Sequence, residues 1–447
     1  MEKQCDRISN LPESIQTYIL SFLPTEDAVR TSSVSKRWRK VCYFVPNLWF
    51  DEPYFYKYII PNDTSPFINF VNSTLSHRDE SDVDKFSLIV DAVDLNYDVS
   101  HVNSWISFAV GHNVRDLSLR VRLGYLKCLP NCLFTSKTLT NLKLHNLSLK
   151  EQTLAGFPML KKLELFEVIF GDVNQINQLI SSCPLLEDLM VATCSWKDND
   201  TTVLVISAPN LKNLGLKHLG SCHEFQVYTG GLRQLDYNGS PPNISPEIIL
   251  SLLYAKFDYI PPAFVGLSNT PREAFDRRVS RILIELQNVV TLTMSCWCIE
   301  FLADDRDLLS HLPASCPSLR DLNLTALATK NHVQVITILL RSYPNLCNLR
   351  IEFQELFYSS SNKLNMEEYW RSDHLSTNGT LKHLKTVKLT QLRGSDEELN
   401  LVKYLLETSD ILESMEITFQ YHEYVRPQMK KIAVFTKASP NVKISFL

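Results

Sequence analysis

Leu160-Lys161-Lys162-Leu163-Glu164-Leu165 is followed 26 residues later by Leu186-Glu187-Asp188-Leu189-Met190-Val191 and 25 residues after that by Leu211-Lys212-Asn213-Leu214-Gly215-Leu216. Each hexad has the form L-x-x-L-x-L. Its last two apolar residues flank one variable position, a period of two that puts both on one face of a short strand. The form occurs upstream as Val114/Leu117/Leu119 and Leu139/Leu142/Leu144. Downstream it reads Leu232/Leu235/Tyr237, Val289/Leu292/Met294, Leu319/Leu322/Leu324, Leu346/Leu349/Ile351, Leu384/Val387/Leu389 and Leu412/Met415/Ile417. Neighbouring hexads mostly lie about 21–30 residues apart.

One such unit cannot bury its apolar face, whereas stacked units share a continuous core. The spacing therefore predicts an α/β chain: an irregular leucine-rich-repeat solenoid over 111–355, with a curved parallel sheet and a helical or irregular convex side. Phe157-Pro158, Cys183-Pro184, Ala208-Pro209, Cys316-Pro317 and Tyr343-Pro344 precede hexads, and the proline ends one segment and sets up the turn into the next strand. The asparagine that usually follows such strands is mostly missing, so the turns must satisfy their backbone groups otherwise. One or two degenerate units are expected between Asn238 and Gln287, where Ile248 to Leu253 and Val279 to Leu286 look helical.

The first fifty residues predict three short helices. Asn10 is placed to cap the first, with Glu13 completing a capping box and Pro12 in the first turn. Ile15, Ile19 and Phe22 follow at i, i+4 and i+7, widened by Leu11, Leu20 and Leu23, and Pro24 stops the helix. A second begins at Thr25. A third, from about Ser33, carries Val34, Trp38 and Val41 opposite Lys36, Arg37, Arg39 and Lys40. Leu48-Trp49-Phe50 then reads as a strand. So small a unit is marginal alone. It is either a cap packed on the rest of the chain or a docking module with surplus apolar surface. Residues 51–110 read as an irregular linker or solenoid cap, with an aromatic cluster at Tyr54, Phe55, Tyr56 and Tyr58, and 356–380 as a loop.

Composition narrows the classes. Of 447 residues, 45% are hydrophobic and 21% charged, which excludes wholesale disorder. A net charge of −4 argues against a dedicated duplex-binding protein, and Lys36 to Lys40 is the solvated face of a helix, so no nucleic acid is expected. No apolar leader and no run of about 18 apolar residues are found, so no membrane association is expected and the chain is placed in the cytoplasm or nucleus. The 11 cysteines are then small buried thiols in a reducing compartment. Twelve glycines and no phosphate-loop, dinucleotide or nucleophile-elbow motif predict neither cofactor nor catalytic residues. Cys128 with Cys132 and Cys296 with Cys298 lack second ligand pairs at zinc spacing, so no metal is expected.

Leu11-Pro12-x-x-Ile15-x-x-x-Ile19-Leu20-Ser21-Phe22-Leu23-Pro24, with Asp27-Ala28-Val29 and Ser32-x-Val34-Ser35-x-Arg37-Trp38-Arg39, resembles a plant-type F-box over residues 1–50. Leu384-Lys385-x-Val387, Gly394-Ser395, Glu398-Leu399, Val402 to Leu406, Leu412-Glu413-x-Met415 and Ala438-Ser439-Pro440 resemble the FBD domain of plant F-box/leucine-rich-repeat proteins over 381–447, with Leu392 where that family more often has an aromatic. The FBD segment would continue and cap the solenoid.

The resemblance implies a non-catalytic substrate-receptor subunit of a Skp–cullin–F-box ubiquitin ligase. Its partners would be a Skp-type adaptor, a cullin through that adaptor, and a protein target. By position, Leu11, Pro12, Ile15, Ile19, Leu20, Leu23, Val34 and Trp38 become the adaptor-contact candidates. Ile19 and Trp38 suit core or interface equally, and Leu11 and Pro12 suit the interface. Two other readings stay open: a pure interaction scaffold, and a receptor with a small-molecule pocket in the solenoid.

Residues flanking the inward leucines point to the concave face. Arg120, His145, Phe166, Met190, Lys217 and Arg350 are the target-binding candidates there, with Phe166 and Met190 as an apolar anchor.

Overall fold

The computed structural model describes residues 11–31, 36–59, 63–78, 80–91, 99–121, 129–150, 152–154, 156–196, 203–219, 224–242, 244–260, 272–304, 316–355 and 381–447. The chain divides into two compact units, 1–230 and 231–447.

The first unit opens with α1 (Glu13–Leu20), α2 (Thr25–Thr31) and α3 (Lys36–Cys42). They close over a small core of Leu20, Ala28, Trp38, Val41, Cys42 and Val45. The expected cap differs: α1 starts at Glu13 with Pro12 as its N-cap, and no side chain caps it. The Pro12 carbonyl accepts from the Ile15 and Gln16 N–H groups at 3.0 and 3.1 Å. Asn10, Ser33 and Val34 lie outside the described residues.

A parallel sheet follows: β1 (Asn47–Asp51), β2 (Lys85–Val90), β3 (Asp116–Val121), β4 (Asn141–His145), β5 (Lys162–Phe166) and β6 (Asp188–Ala192). β7 (Val203–Ser207) steps out to pair with β9 (Glu224–Tyr228), and β8 (Asn213–Lys217) takes the place beside β6. The segment 51–110 is thus not irregular. It supplies β2 as well as α4 (Glu52–Phe55), α5 (Ser65–Ser76) and α6 (Val99–Gly111). Its packing is aromatic instead of leucine-based. Phe55 meets Phe67 at 5.5 Å and Phe70 at 5.3 Å, and Phe50 meets Phe86 at 5.7 Å. Tyr58, read as part of this cluster, is exposed.

The helical module is fastened to the first strand. The Trp49 N–H donates to Thr25 Oγ1 at 2.7 Å, Asn47 Nδ2 to the Ser21 carbonyl at 3.3 Å, and Tyr54 Oη to Asp27 Oδ2 at 2.7 Å. The Trp49 N–H, a backbone donor of the edge strand β1, is thereby satisfied.

Within the repeats, the inward residues Leu117, Leu119, Leu142, Leu144, Leu163, Leu165, Leu189 and Val191 are buried, as are the corner residues Val114, Leu139, Leu160 and Leu186. Each is worth roughly 1.5–3 kcal/mol relative to exposure. The turns solve the missing-asparagine problem in three ways. Phe157, Cys183, Ala208, Cys316 and Tyr343 are buried, and each carbonyl accepts the N–H three residues on, with proline at the second position of the turn. The carbonyl before each strand serves two donors of the next repeat: that of Thr140 accepts from Lys161 and Lys162 at 2.8 and 3.0 Å, that of Lys161 from Glu187 and Asp188 at 2.8 and 2.9 Å. After β4, β5, β6 and β8 the chain turns through Asn146, Glu167, Thr193 and His218, all left-handed with φ between 50° and 60°.

The second unit is a parallel sheet of β10 (Gln234–Gly239), β11 (Tyr254–Tyr259), β12 (Thr291–Met294), β13 (Asp321–Leu327), β14 (Asn348–Gln354), β15 (Thr386–Leu392), β16 (Ser414–Phe419) and β17 (Lys443–Phe446). The degenerate repeat falls at β11, between α8 (Pro246–Ser251) and α9 (Arg272–Glu285). α10 (Cys296–Asp304) packs on β11, β12 and β13, and α11 (Lys330–Ser342) packs against α10. The residues 356–380 lie outside the described residues.

Between β15 and β16, α12 (Asp396–Thr408) is held by a complete capping box of Ser395 and Glu398. The buried Glu398 carboxylate accepts from the Arg393, Gly394 and Ser395 N–H groups at 3.0, 2.6 and 2.9 Å. Burial pushes its pKa up, and those hydrogen bonds oppose the shift. Gly394 sits at φ 80°, and a Cβ there would meet Gln428 Cγ at 2.5 Å. Gln428 belongs to α13 (His422–Ala433) and donates to the Gly394 carbonyl at 3.1 Å.

Candidate functional site

The helical module leaves one face uncovered. Gln16 and Leu20 of α1 point inward and are buried. The opposite flank carries Ile15, Tyr18, Ile19 and Phe22, which are 45, 63, 40 and 68% exposed. Spacings of three, four and seven residues place these on one side of a helix. Tyr18 and Phe22 meet edge to face at 4.9 Å, so the aromatic pair is preformed. Contiguous exposed apolar residues on a helix and the turn that follows it mark an interaction surface, since an isolated monomer gains by covering them.

The expected contact residues separate accordingly. Ile15 and Ile19 lie on the open face, Pro12 is exposed beside it, and Leu11 is half-buried. Leu20 and Trp38 are core, at 1 and 6% exposure, and Leu23 packs partly against that core. This corrects the reading of Leu20 as a contact and resolves Trp38 to the interior. Val34 is outside the described residues. Tyr18 was missed, although it stands three residues after Ile15 and four before Phe22. Phe22 was read only as part of the stripe.

The second surface is the outward side of the first unit's sheet. Arg120, His145, Phe166 and Lys217 stand in one register row: Arg120 opposite His145, His145 opposite Phe166, Phe166 opposite Ala192, and Ala192 opposite Lys217. Met190 is one row below, opposite Glu164 on one side and Gly215 on the other. It does not project as an anchor. Its side chain lies across Gly215, where a Cβ would come within 2.5 Å of Met190 Sδ. Phe166 is only half-buried, with the Lys143 ammonium 5.0 Å from its ring centre and His145 edge-on at 6.0 Å. Arg350 belongs to the second unit, on β14, opposite Asn323 and Lys388.

The second unit's sheet shows a different face. Thr291 and Asn348 donate to Asp321 at 3.3 and 2.7 Å, and Thr386 donates to Asn348 at 2.6 Å, a ladder that satisfies these polar groups internally. Lys388 pairs with Glu416 at 2.8 Å.

Four of the described thiols are deeply buried. Burial pushes Cys183 and Cys296 up to about 11 and Cys194 and Cys298 to about 12, so none is a thiolate at neutral pH. Among the described residues, no group of three or more His, Cys, Asp and Glu is arranged to hold a metal ion. No described helix is long and apolar enough to cross a membrane.

The sequence matches three domain families: the F-box domain over residues 8–49, the leucine-rich repeats of the FBD-associated F-box protein At5g56370 over 102–227, and FBD over 380–417. Relatives from Arabidopsis thaliana extend along the chain. The F-box/LRR-repeat protein At4g14096 is 31% identical, over 92% of this chain and 87% of its own length. The F-box/LRR-repeat protein At3g59210 is 29% identical over 99 and 94%, and the FBD-associated F-box protein At5g22730 is 26% identical over 92 and 87%. With a helix bearing an exposed apolar face on an F-box match, a parallel repeat sheet and an FBD segment whose motif residues build a helix cap, this chain belongs to the plant F-box/FBD/leucine-rich-repeat family.

Proposed function

We propose that the protein is the target-receptor subunit of a Skp–cullin–F-box ubiquitin ligase. The general substrate-adaptor role goes with the F-box family. The observation that carries the specific reading is the open face of Ile15, Tyr18, Ile19 and Phe22, on a helix whose other side is fully used in the core. This face takes the Skp-type adaptor, which brings the cullin. The module's hydrogen bonds to β1 and α4 then hold the repeat sheet at a defined place relative to that adaptor.

The contribution to ubiquitin transfer is proximity. Holding a target beside a conjugating enzyme supplied by other subunits raises its effective concentration, and the receptor needs no acid, base or nucleophile of its own. The reading places this work in the cytoplasm or nucleus.

The test is titration of the full chain with a purified Skp-type adaptor, followed by reconstituted ubiquitination with cullin, RING subunit and conjugating enzyme. A stoichiometric complex that is lost in the Ile15→Asp/Ile19→Asp variant, with autoubiquitination of the wild-type receptor, supports the proposal. A folded wild-type chain that forms no complex refutes it.

A further inference from the structure

We infer that the outer edge of β17, in the second unit, is a docking site, and that it takes an extended acidic segment of a partner protein, added to the sheet as a further strand. The site is separate from the open face of α1 and goes beyond the receptor reading.

Charge selects the sign of the partner. Residues 424–447 contain Arg426, Lys430, Lys431, Lys437 and Lys443 and no Asp or Glu. The chain as a whole carries −4, so its other residues carry −9, and this stretch stands out in sign. All five cations are exposed, and none is paired with a carboxylate among the described residues. Gln428 and Ile432 are buried residues of α13, whereas Arg426, Lys430 and Lys431 stand on its solvent side. Glu413 and Glu416, just before and on the neighbouring β16, are already held: Glu413 by Lys385 at 3.5 Å and Glu416 by Lys388 at 2.8 Å. Lys443, opposite Ser414, therefore keeps its charge available to a partner.

The backbone selects an extended chain. The Lys443 N–H donates to the Glu413 carbonyl and the Leu447 N–H to the Ile417 carbonyl, both at 3.0 Å. Alternate residues of a strand direct their N–H and C=O groups to opposite edges, so those of Ile444 and Phe446 face away from β16. β17 closes the strand order, and no described strand stands on that side. The apolar side chains of this strand are open as well. Ile444 and Phe446 are half-buried, whereas their register partners Met415 and Ile417 are fully buried. An added strand gives the edge its main-chain hydrogen bonds and covers Ile444 and Phe446 with alternate apolar side chains.

Only one class of partner meets the charge, the edge and the apolar row together. A nucleic acid or an anionic membrane answers the charge and leaves the strand edge unpaired. A second copy of the chain pairs the edge and sets five cations against five. A peptide segment with two apolar residues at alternate positions, interleaved and flanked by carboxylates, satisfies all three: its apolar side chains continue the row of Ile444 and Phe446, and its acids fall on the side of Lys443. The pattern is acidic-apolar-acidic-apolar-acidic.

The experiment selects a displayed library of random dodecapeptides against the full chain, then measures the selected peptides by fluorescence polarisation. The expected outcome is enrichment of that pattern. Affinity should fall about tenfold or more when the acids are changed to lysine, and equally in the Lys430→Glu/Lys431→Glu/Lys443→Glu variant, which should prefer the lysine peptides. Pairing with one edge has its own signature: N-methylation of every second peptide residue abolishes binding in one phase and is tolerated in the other. Ile444→Pro removes an N–H that faces away from β16 and should cost about tenfold or more with the charge preference retained. Circular dichroism checks that each variant is folded, and the N-methyl series needs no variant. Enrichment of basic or uncharged peptides, no enrichment at all, or N-methylation without effect in both phases overturns the inference. Tighter binding of a single-stranded dodecanucleotide or of phosphatidylserine vesicles, undiminished in Ile444→Pro, overturns it in favour of nucleic acid or membrane. A dimer in sedimentation that Ile444→Pro dissolves overturns it in favour of a second copy. Adaptor binding is read in the same samples: if it fails while the peptide pattern holds, only the receptor reading falls, and if it holds while the pattern fails, only this inference falls.

Discussion

Leu20, the last residue of the first helix, and Phe22, in the turn just after it, have the same apolar character in the sequence and opposite duties in the structure. Leu20 is 1% exposed and packs with Ala28, Trp38, Val41, Cys42 and Val45. Leu20→Ala should destabilise the helical module by about 2–5 kcal/mol, the range for removing a buried leucine from a core that cannot collapse. So small a core has little reserve, and the effect belongs at the upper end. Phe22 is 68% exposed, and its described ring contact is the edge-to-face one with Tyr18 at 4.9 Å. Losing that pair costs about 0.5–1.5 kcal/mol, less at a solvated site. An adaptor that covers the exposed part of the ring removes ~130 Å² from water, taking a phenylalanine side chain as roughly 200 Å². At about 25 cal/mol per Å² that amounts to roughly 3 kcal/mol, or about 100-fold in Kd. The assay pairs denaturant unfolding, followed by tryptophan fluorescence because Trp38 lies in this core, with titration of a Skp-type adaptor. Leu20→Ala should move the unfolding midpoint strongly. Phe22→Ala should leave it nearly in place and weaken adaptor binding about 100-fold. Should Phe22→Ala unfold the module while Leu20→Ala does not, the helix presents the opposite face and the docking argument is wrong.

Thr193 holds a left-handed conformation, φ 50°, with an exposed β-branched side chain, which costs about 1–2 kcal/mol. Thr193→Asn, the residue that the equivalent turn has at Asn146, should raise stability by about 0.5–1 kcal/mol in a denaturant titration. Gly394→Ala should cost about 1–3 kcal/mol, because it strains a φ of 80° and pushes on Gln428; Gln428→Ala in the same chain should relieve part of the loss. Thr25→Val leaves the Trp49 N–H without its acceptor and should cost about 1–3 kcal/mol, with faster amide exchange at Trp49 as the local signature. The buried thiols bind protons more tightly in the folded chain than unfolded. Their stabilisation is complete below pH about 8.5 and is lost as pH rises toward about 11 and 12. Peptide-mapped alkylation should find Cys183, Cys194, Cys296 and Cys298 protected at pH 8 in the native chain and labelled in denaturant.

The hexads were legible because leucines at this double spacing, recurring along the chain, suit a short stacked strand and little else. Their blind spots have the same origin. Val45-x-x-Leu48-x-Phe50, Val83-x-x-Phe86-x-Leu88 and Leu252-x-x-Ala255-x-Phe257 are the same hexad with phenylalanine or alanine admitted, and they form β1, β2 and β11. Permitting phenylalanine would have joined the strand read at Leu48-Trp49-Phe50 to the repeats and found β2 inside the segment taken as a linker. The FBD-like residues were legible as a pattern without a reason. The structure supplies it: Ser395 and Glu398 close a helix cap, and only glycine fits at Gly394 against Gln428.

Sequence alone determined the architecture here: the period of the leucines fixes strand and spacing, and the proline turns fix where each repeat begins, because both are local and repeat many times. It also determined that the N-terminal helices carry more apolar surface than they can bury. Which residues remain outside was decided only by the tertiary structure. The orientation of α1 depends on α2, α3 and the edge of β1, contacts between residues far apart in sequence, and these turn Leu20 inward and Tyr18 and Phe22 outward. The same holds on the sheet. Arg120, Phe166 and Lys217 become one line through strand register, and Met190 lies flat because Gly215, 25 residues away, leaves it the space.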